Sequence, residues 1–380
     1  MKKQFLIRRI VKMNKYQIEK MLHEFQQIKT NYTIWIVANV NETVQDEESF
    51  IQHANFTEFF SKAEFASIAS AITEEFGYVR IFYSETEFMQ YVLANYIKHS
   101  TKNIIVFNFT RDGIFEGKKS LIPAFCDLYG LKYVSSNAFV TSLLRNKFVY
   151  TKLLESLNIP VPLTICSNLI NPESFELLKG KKIILKNICE SASIGMDETN
   201  IQTISSYTHL MKEICNQCKK MQTTNLLLQE FIPGEECEVF VIRNGDNLYA
   251  FPPIALKING SHIITSQISD EYDYTFFPLS SILPLDICNS IQKTTEYAGK
   301  ILNIKTYARF DYRISPNGQY YLIDIAGSPY LTRHSSVEYL FSQVLNLQYS
   351  DIFLLILCLT LKNYSHEVNC KSDKGNPLDI

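Results

Sequence analysis

Short apolar runs alternate with helically spaced apolar stripes over the first third of the chain. TIWIVANV (33–40), YVRIFYS (78–84) and NIIVFNFT (103–110) are brief, nearly continuous apolar runs, the pattern of strands buried on both faces. Between them, FSKAEFASIASAITEEF (60–76) and FMQYVLANYIK (88–98) place apolar residues at helical spacing. Strand and helix in alternation predict a parallel sheet with covering helices. LIPAFCDLYGLKYVSS (121–136) continues as a helix ended near Gly130 and a short strand, and residues 145–162 form a helix stopped at an Asn-Ile-Pro turn.

From KKIILKN (181–187) onward the pattern changes to paired strands. These are LLLQEFI (226–232), then EVFVIRNGDNLYAFPPI (238–254) folded at Asn244-Gly245, and RFDYRISPNGQYYLIDIA (309–326) folded at Pro316-Asn317-Gly318. A helix over 286–302 precedes the last pair. Residues 1–30 form a polar, amphipathic lead-in, residues 41–56 an acidic loop, and the last ten residues a frayed tail.

Composition narrows the functional classes. With 380 residues, 46% of them hydrophobic, the chain can bury two or three cores. A net charge of -2 excludes a global basic field for nucleic acid. Nine scattered cysteines form no disulfide framework, and the lone pair Cys215 and Cys218 lacks a second pair for zinc. The apolar run 351–361 is shorter than the ~20 residues a spanning helix needs. No secretory signal pattern is present at the N-terminus, so a cytoplasmic protein with reduced thiols is expected.

Three clusters carry candidate chemistry. Lys147 begins a helix directly after a strand and turn, and Lys186 ends a strand before NICESASIGM, a small-residue loop able to fold over phosphates. LLLQEFIPGEECEVFVI runs from a strand into a linker with Glu230, Glu235, Glu236 and Glu238. ARFDYRISPNGQYYLIDIAGSPYLTRHSS sets Asp311 and Asp324 side by side across a hairpin, a repulsion that a shared Mg²⁺ would relieve. Arg309, two residues before Asp311, points to the same face. Taken singly, the first two clusters are better described as solvated lysines and an acidic hairpin rim, and the third describes two exposed acids equally well.

In their order along the chain, the clusters resemble the ATP-grasp superfamily, and more narrowly D-alanine–D-alanine ligases and related dipeptide ligases. The resemblance runs from about Asn103 to Ser336, and YYLIDIAGSPYLTRHSS is its most specific motif. It implies an α/β (α+β) ATP-grasp fold: an N-terminal parallel α/β domain (31–140) after the lead-in, a central subdomain (141–235), a C-terminal subdomain with the Mg²⁺ site (236–365) and a tail (366–380). It also implies roles. Lys147, Lys186 and Ser193 contact ATP phosphates. Gln229, Glu230 and Ile232 line the adenine, and Glu236 takes the ribose. Asp311 and Asp324 bind Mg²⁺, with Mn²⁺ as the alternative ion. Arg309 stabilises the acyl phosphate and tetrahedral intermediate. Ser335, with Tyr330 and His334, faces substrate.

The implied activity is ATP-dependent joining of a small-molecule carboxylate to an amine, with neither nucleic acid nor membrane as partner and with room for a homodimer. A nucleotide-binding protein without ligase activity is the alternative. Departures from the family pattern are specific. Ala326 stands at the asparagine ligand, Asp324 at a glutamate, Tyr330 at a glycine and Ala192 at a loop serine. The glycine-rich turn after the first strand is absent, and SHIITSQISDEYDYTFF stands where the family has a lysine–tyrosine pair. These departures imply substrates other than two D-alanines.

Overall fold

The computed structural model describes residues 13–41, 54, 57–96, 103–258, 260–261 and 263–372, with side chains to residue 366. The acidic loop predicted over 41–56 and the tail predicted over the last ten residues fall mostly outside these.

The first sheet has the order Val79–Phe82, Thr33–Ala38, Ile104–Phe109, Lys132–Val134, all parallel. Thr33–Ala38 is central and buried at every position after its first, as its unbroken apolar sequence requires. Its crossover helices begin at side-chain caps. Ser61 accepts from the Glu64 amide while Glu64 reaches back to the Ser61 amide, and Ser84 caps the helix Glu85–Asn95.

The predicted lead-in is instead partly a core element. Asn14 caps a helix over Lys15–Gln26 whose Ile18, Met21, Leu22 and Phe25 are buried. These residues join a cluster built around the C-terminal helix Tyr349–Ser372. The apolar run 351–361 lies inside that helix and is buried almost throughout, packed against the first sheet and the strand Glu235–Asn244. Its hydrophobicity is therefore explained by burial between two layers. No single helix among the described residues is long and apolar enough to cross a membrane.

A second sheet is wholly antiparallel, in the order Thr164–Cys166, Leu226–Glu230, Lys182–Asn187, Ile201–Thr203. Helices Pro172–Leu178 and Tyr207–Lys220 bury one of its faces, and Cys215 and Cys218 lie on the second of these helices. The third sheet, also antiparallel, runs Tyr274–Pro278, Ile254–Ile258, Glu235–Asn244, Tyr307–Ile314, Tyr320–Ala326, with Asn247–Ala250 paired to Glu235–Asn244. Helix Leu285–Ile301 covers one face, where Cys237, Val239, Val241, Ala308 and Phe310 form the core.

Three local expectations are corrected. Lys147 does not follow a strand and turn: a helix Ala138–Arg145 precedes it, and Asn146, in extended conformation, breaks the two helices and caps the second. The hairpin turn is Gly245-Asp246, since Asn244 pairs with Asn247. The stretch read as one pair over 238–254 also supplies the start of a separate strand, Ile254–Ile258, which pairs with Glu236–Glu238 on the same edge as Asn247–Ala250, opposite Tyr307–Ile314.

The crossing from the second sheet to the third passes through Gly234. It has φ +128°, and a Cβ there would lie 2.0 Å from the carbonyl oxygen of Ile314. Only glycine fits so close an approach of two backbones.

Candidate functional site

The three sheets converge on a cavity of about 700 Å³. Its floor is the free face of the third sheet. Period-2 alternation sends the apolar side chains of its strands into the core and the charged ones to the cavity. Register sets Glu236 opposite Arg313, Glu238 opposite Asp311, and Asp311 opposite Asp324. The expected juxtaposition of the two aspartates is thus present. Cations of the protein itself offset their repulsion. Arg309 clasps Asp311 through Nε and Nη2, both 2.8 Å from its carboxylate oxygens, and Nη2 lies 3.2 Å from Glu238. Lys147 pairs with Asp324, which also accepts a 2.8 Å hydrogen bond from Tyr150.

The electrostatics separate the two acids. Burial would raise Asp324, but Lys147 and Lys186, with hydrogen bonds from Lys147 and Tyr150, hold it well below the usual carboxylate range. Burial pushes Asp311 up, against the pull of Arg309. Burial likewise pushes Glu238 up to about 7 despite Arg309 and a hydrogen bond with Ser336. Asp324 keeps 32% of its side chain exposed and is the more open of the pair.

Lys186 is held from the second sheet, where its Nζ donates to Gln229 Oε1 at 3.0 Å; Gln229 also donates to Thr164 Oγ1 at 3.3 Å. Gln229 is therefore buried as a brace for Lys186 as well as a wall residue. Glu230 lines the cavity but pairs with Lys181 at 2.8 Å, and Ile232 lines it beside Phe231. Glu236 faces the cavity with its carboxylate engaged by Arg313 at 2.8 Å.

The small-residue loop carries two successive positive φ angles, +54° at both Ala192 and Ser193. Such a conformation is unfavourable for non-glycine residues and persists only when surroundings impose it. Here Ser266 does so: its Oγ donates to the Ser193 carbonyl at 2.7 Å, and its amide donates to the Met196 carbonyl at 3.1 Å. The segment SHIITSQISDEYDYTFF thus packs over this loop, with a short helix Ser266–Glu271 and the edge strand Tyr274–Pro278.

At the opposite end, Ser335 lines the cavity, but its hydroxyl donates to the Thr332 carbonyl at 2.7 Å and accepts from the Glu338 amide at 3.2 Å, capping the turn that follows. Tyr330 donates to the Glu58 carbonyl at 2.7 Å. His334 stacks on Tyr272, ring centroids 4.3 Å apart. All thirteen residues expected from sequence lie on this one cavity. Sequence reasoning named Glu238 without giving it a role, and missed Arg313, Tyr272 and Tyr274, and a basic group made of Arg111, Lys119 and Arg145. The period-2 spacing of Glu236 and Glu238, matched by Arg309, Asp311 and Arg313, was the available signal for the floor.

The arrangement can do three things. Lysines at one end offset the charge of a polyanion. Paired carboxylates present hard oxygens to a divalent cation. An arginine beside them meets negative charge that develops during a reaction.

Comparison with known proteins gives the same architecture. The family description "D-ala D-ala ligase C-terminus" matches residues 179–357. A D-alanine–D-alanine ligase of Wolbachia pipientis is 23% identical over 248 residues, 63% of this chain and 73% of that protein. One from Carboxydothermus hydrogenoformans is 25% identical over 235 residues, 58% and 70% respectively. Among solved structures, the Bacillus anthracis D-alanine–D-alanine ligase complexed with ATP superposes with TM-score 0.63 at 14% identity, covering 88% of this chain and 99% of that one. The Coxiella burnetii enzyme gives 0.62 at 15%, with 90% and 99% covered.

Proposed function

We propose that this chain is an ATP-grasp, D-alanine–D-alanine ligase-like protein, an ATP-dependent ligase joining the carboxylate of one small amino-acid-like molecule to the amine of another. The observation that carries this reading is the register of Asp311 against Asp324, flanked by Arg309, Lys147 and Lys186 in one cavity. A nucleotide-binding protein with no ligase activity would have no use for Arg309 held beside the acids, so that alternative is not favoured.

A carboxylate is a poor electrophile at neutral pH, and transfer of the γ-phosphoryl group of ATP makes it reactive as an acyl phosphate. Lys147 and Lys186 offset the phosphate charge as the donor carboxylate approaches. Arg309 faces the oxyanion that forms when the amine attacks. Ser193 and its loop, tied down by Ser266, cover the phosphate end, while Tyr272 and Tyr274 close the side toward solvent. Exclusion of water there protects the acyl phosphate from hydrolysis. Gln229, Glu230, Phe231 and Ile232 form the adenine wall in this reading, and Glu236 lies where the ribose hydroxyls would come. The donor set suits Mg²⁺: two adjacent carboxylates of hard oxygens, Asp311 and Asp324, completed by phosphate oxygens and water. Bound there, the ion would neutralise phosphate charge in the transition state. The screen that tests the activity is ADP and phosphate release from ATP with pools of amino acids.

Ala326 lies opposite Arg309 on the metal-bearing hairpin and offers no ligand. Half-saturation is therefore expected at a higher free Mg²⁺ concentration than an additional side-chain ligand would allow. Ala326→Asn is expected to lower that concentration several-fold, read as the Mg²⁺ dependence of ADP release. An unchanged dependence in an active variant would move the missing ligand elsewhere.

Nucleotide affinity should also depend on pH. Burial pushes the Lys186 ammonium down to about 8, with Asp324 opposing and Lys147 adding to the shift. Phosphate prefers the charged lysine. Below pH 8 that form is already present; above it, binding must take up a proton, so affinity falls by up to about tenfold per pH unit. Calorimetry at pH 8.5 in buffers of different ionisation enthalpy should register that uptake, and Lys186→Met should remove it. A flat affinity between pH 7 and 9 would separate Lys186 from the phosphates.

A further inference from the structure

Beyond the lysines at Asp324, the cavity wall holds a second basic group. Arg111, Lys119 and Arg145 line the cavity, with Lys118 directly behind. Each is at least nine-tenths buried. Their acidic partners among the described residues are Glu58 and Glu190. Glu58 takes Lys119 at 2.9 Å, Lys118 at 3.2 Å and Arg145 at 3.4 Å, while Glu190 takes Lys118 and Arg145, each at 3.4 Å. Among the described residues four cations therefore face two acids, which leaves two positive charges unmatched there.

Arg145 is shared between both acids and donates to Ser191 Oγ at 2.6 Å, so the surplus concentrates on Arg111. Arg111 is sandwiched between Tyr330, 3.9 Å from its guanidinium, and Phe60, at 4.7 Å. Among the described residues its terminal nitrogens reach only the Ser328 carbonyl, at 3.4 Å, and its Nε has no hydrogen-bond partner. The Nε of Arg145 is also without one. Buried charges are ordinarily paired, and an unpaired one is costly. The cost is visible at Lys119, which burial drives well below the normal lysine range even though Glu58 opposes this. An aromatic-stacked guanidinium with free donors facing a cavity is suited to a planar or tetrahedral oxyanion.

Resting on the ligase reading above, we propose that one of the two substrates carries an additional anionic side group, a carboxylate or a phosphate ester, received by Arg111 and Lys119 with Arg145 beside them. Arg111 meets the cavity next to Ser328 and Tyr330, on the segment that leads to His334 and Ser335. Arg111 thus sets the anion beside the Ser328–Tyr330 segment, while Arg145 ties the group to Ser191 of the loop that follows Lys186. Tyr330, by stacking on Arg111 and bonding to the Glu58 carbonyl, positions the group. The substrate class is then an acidic or phosphorylated amino acid, and the enzyme discriminates against its neutral counterpart.

The test is calorimetric titration of the full chain holding Mg²⁺ and a non-hydrolysable ATP analogue. The probes are aspartate, glutamate and O-phosphoserine, in both enantiomers, against asparagine, glutamine and serine. At least one anionic probe is expected to bind tenfold or more tightly than its neutral partner. The carboxylate and phosphate arms identify which anion the site takes. Lys119→Met should erase the preference while analogue affinity stays within twofold. Arg111→Gln should do the same, and Lys119→Met alone decides the matter if Arg111→Gln fails to fold. Equal binding of neutral and anionic probes, or binding of neither, overturns the proposal. So does a Lys119→Met variant that weakens the analogue instead, which would assign the group to the nucleotide. If the analogue binds and neutral amino acids alone drive ADP release, the ligase reading stands and this inference falls. If the analogue does not bind, both fall.

Discussion

Replacing Arg309 by lysine is expected to reduce amide formation by two to three orders of magnitude while the protein stays folded and ATP affinity changes little. Arg309 lies on the floor strand with both carboxylate oxygens of Asp311 at 2.8 Å and Glu238 at 3.2 Å. Lysine keeps the charge that these acids need and loses the planar fork aimed at the reacting centre. Loss of a single donor facing a developing oxyanion costs roughly 10²–10³ in turnover. Arg309→Ala removes the charge as well. Asp311 and Glu238 would then be buried acids without a cation, and breaking a buried pair costs about 3–5 kcal/mol. The alanine variant should therefore lose stability, and the lysine variant should lose turnover alone. Single-turnover kinetics with saturating ATP separates the two. Turnover of the lysine variant near that of the wild type would remove Arg309 from this role.

Lys186→Ala is expected to weaken ATP binding by roughly ten- to a hundredfold. A charge-assisted hydrogen bond to phosphate contributes roughly 1.5–3 kcal/mol. The side chain is already held in place by Gln229, so little ordering cost remains to be met on binding. The substitution also relieves the burial of a charge, and Lys147 stays paired with Asp324, so the fold should survive the loss of affinity. Titration of ATP into the variant measures this directly, and unchanged affinity would sink the assignment of Lys186 to the phosphates.

What could be read from sequence follows from how local its cause is. The hairpin was legible from its Pro-Asn-Gly turn, but the opposition of Asp311 and Asp324 also depends on a bulge between Asp311 and Tyr312, where one extra residue, Ile323, shifts the register. The parallel sheet was legible for the same kind of reason: continuous apolar strands separated by helical stripes admit few other arrangements.

The basic group is the opposite case. Glu58, Arg111 and Arg145 span 87 residues, and each looks like a surface charge until the fold brings them together. The lead-in helix is intermediate. Ile18, Met21, Leu22 and Phe25 have helical spacing, but the partner they pack on is more than 300 residues away, so the stripe had no visible destination. The break at Asn146 was hidden because residues on both sides favour helix and only tertiary contacts select the cap. Tyr272 and Tyr274 come from a segment without family landmarks, and their position over the cavity follows from edge pairing of Tyr274–Pro278 with Ile254–Ile258.

The central claim is that ATP activates a carboxylate as an acyl phosphate before an amine attacks. It is tested most directly with amino acids whose carboxylates are labelled with ¹⁸O. The labelled pool is incubated with the full chain, ATP and Mg²⁺, and the products are resolved by mass spectrometry. The account predicts ADP, an amide-linked product, and inorganic phosphate that has gained one ¹⁸O for each amide formed. Unlabelled phosphate accompanying amide, or release of AMP with pyrophosphate, would contradict it.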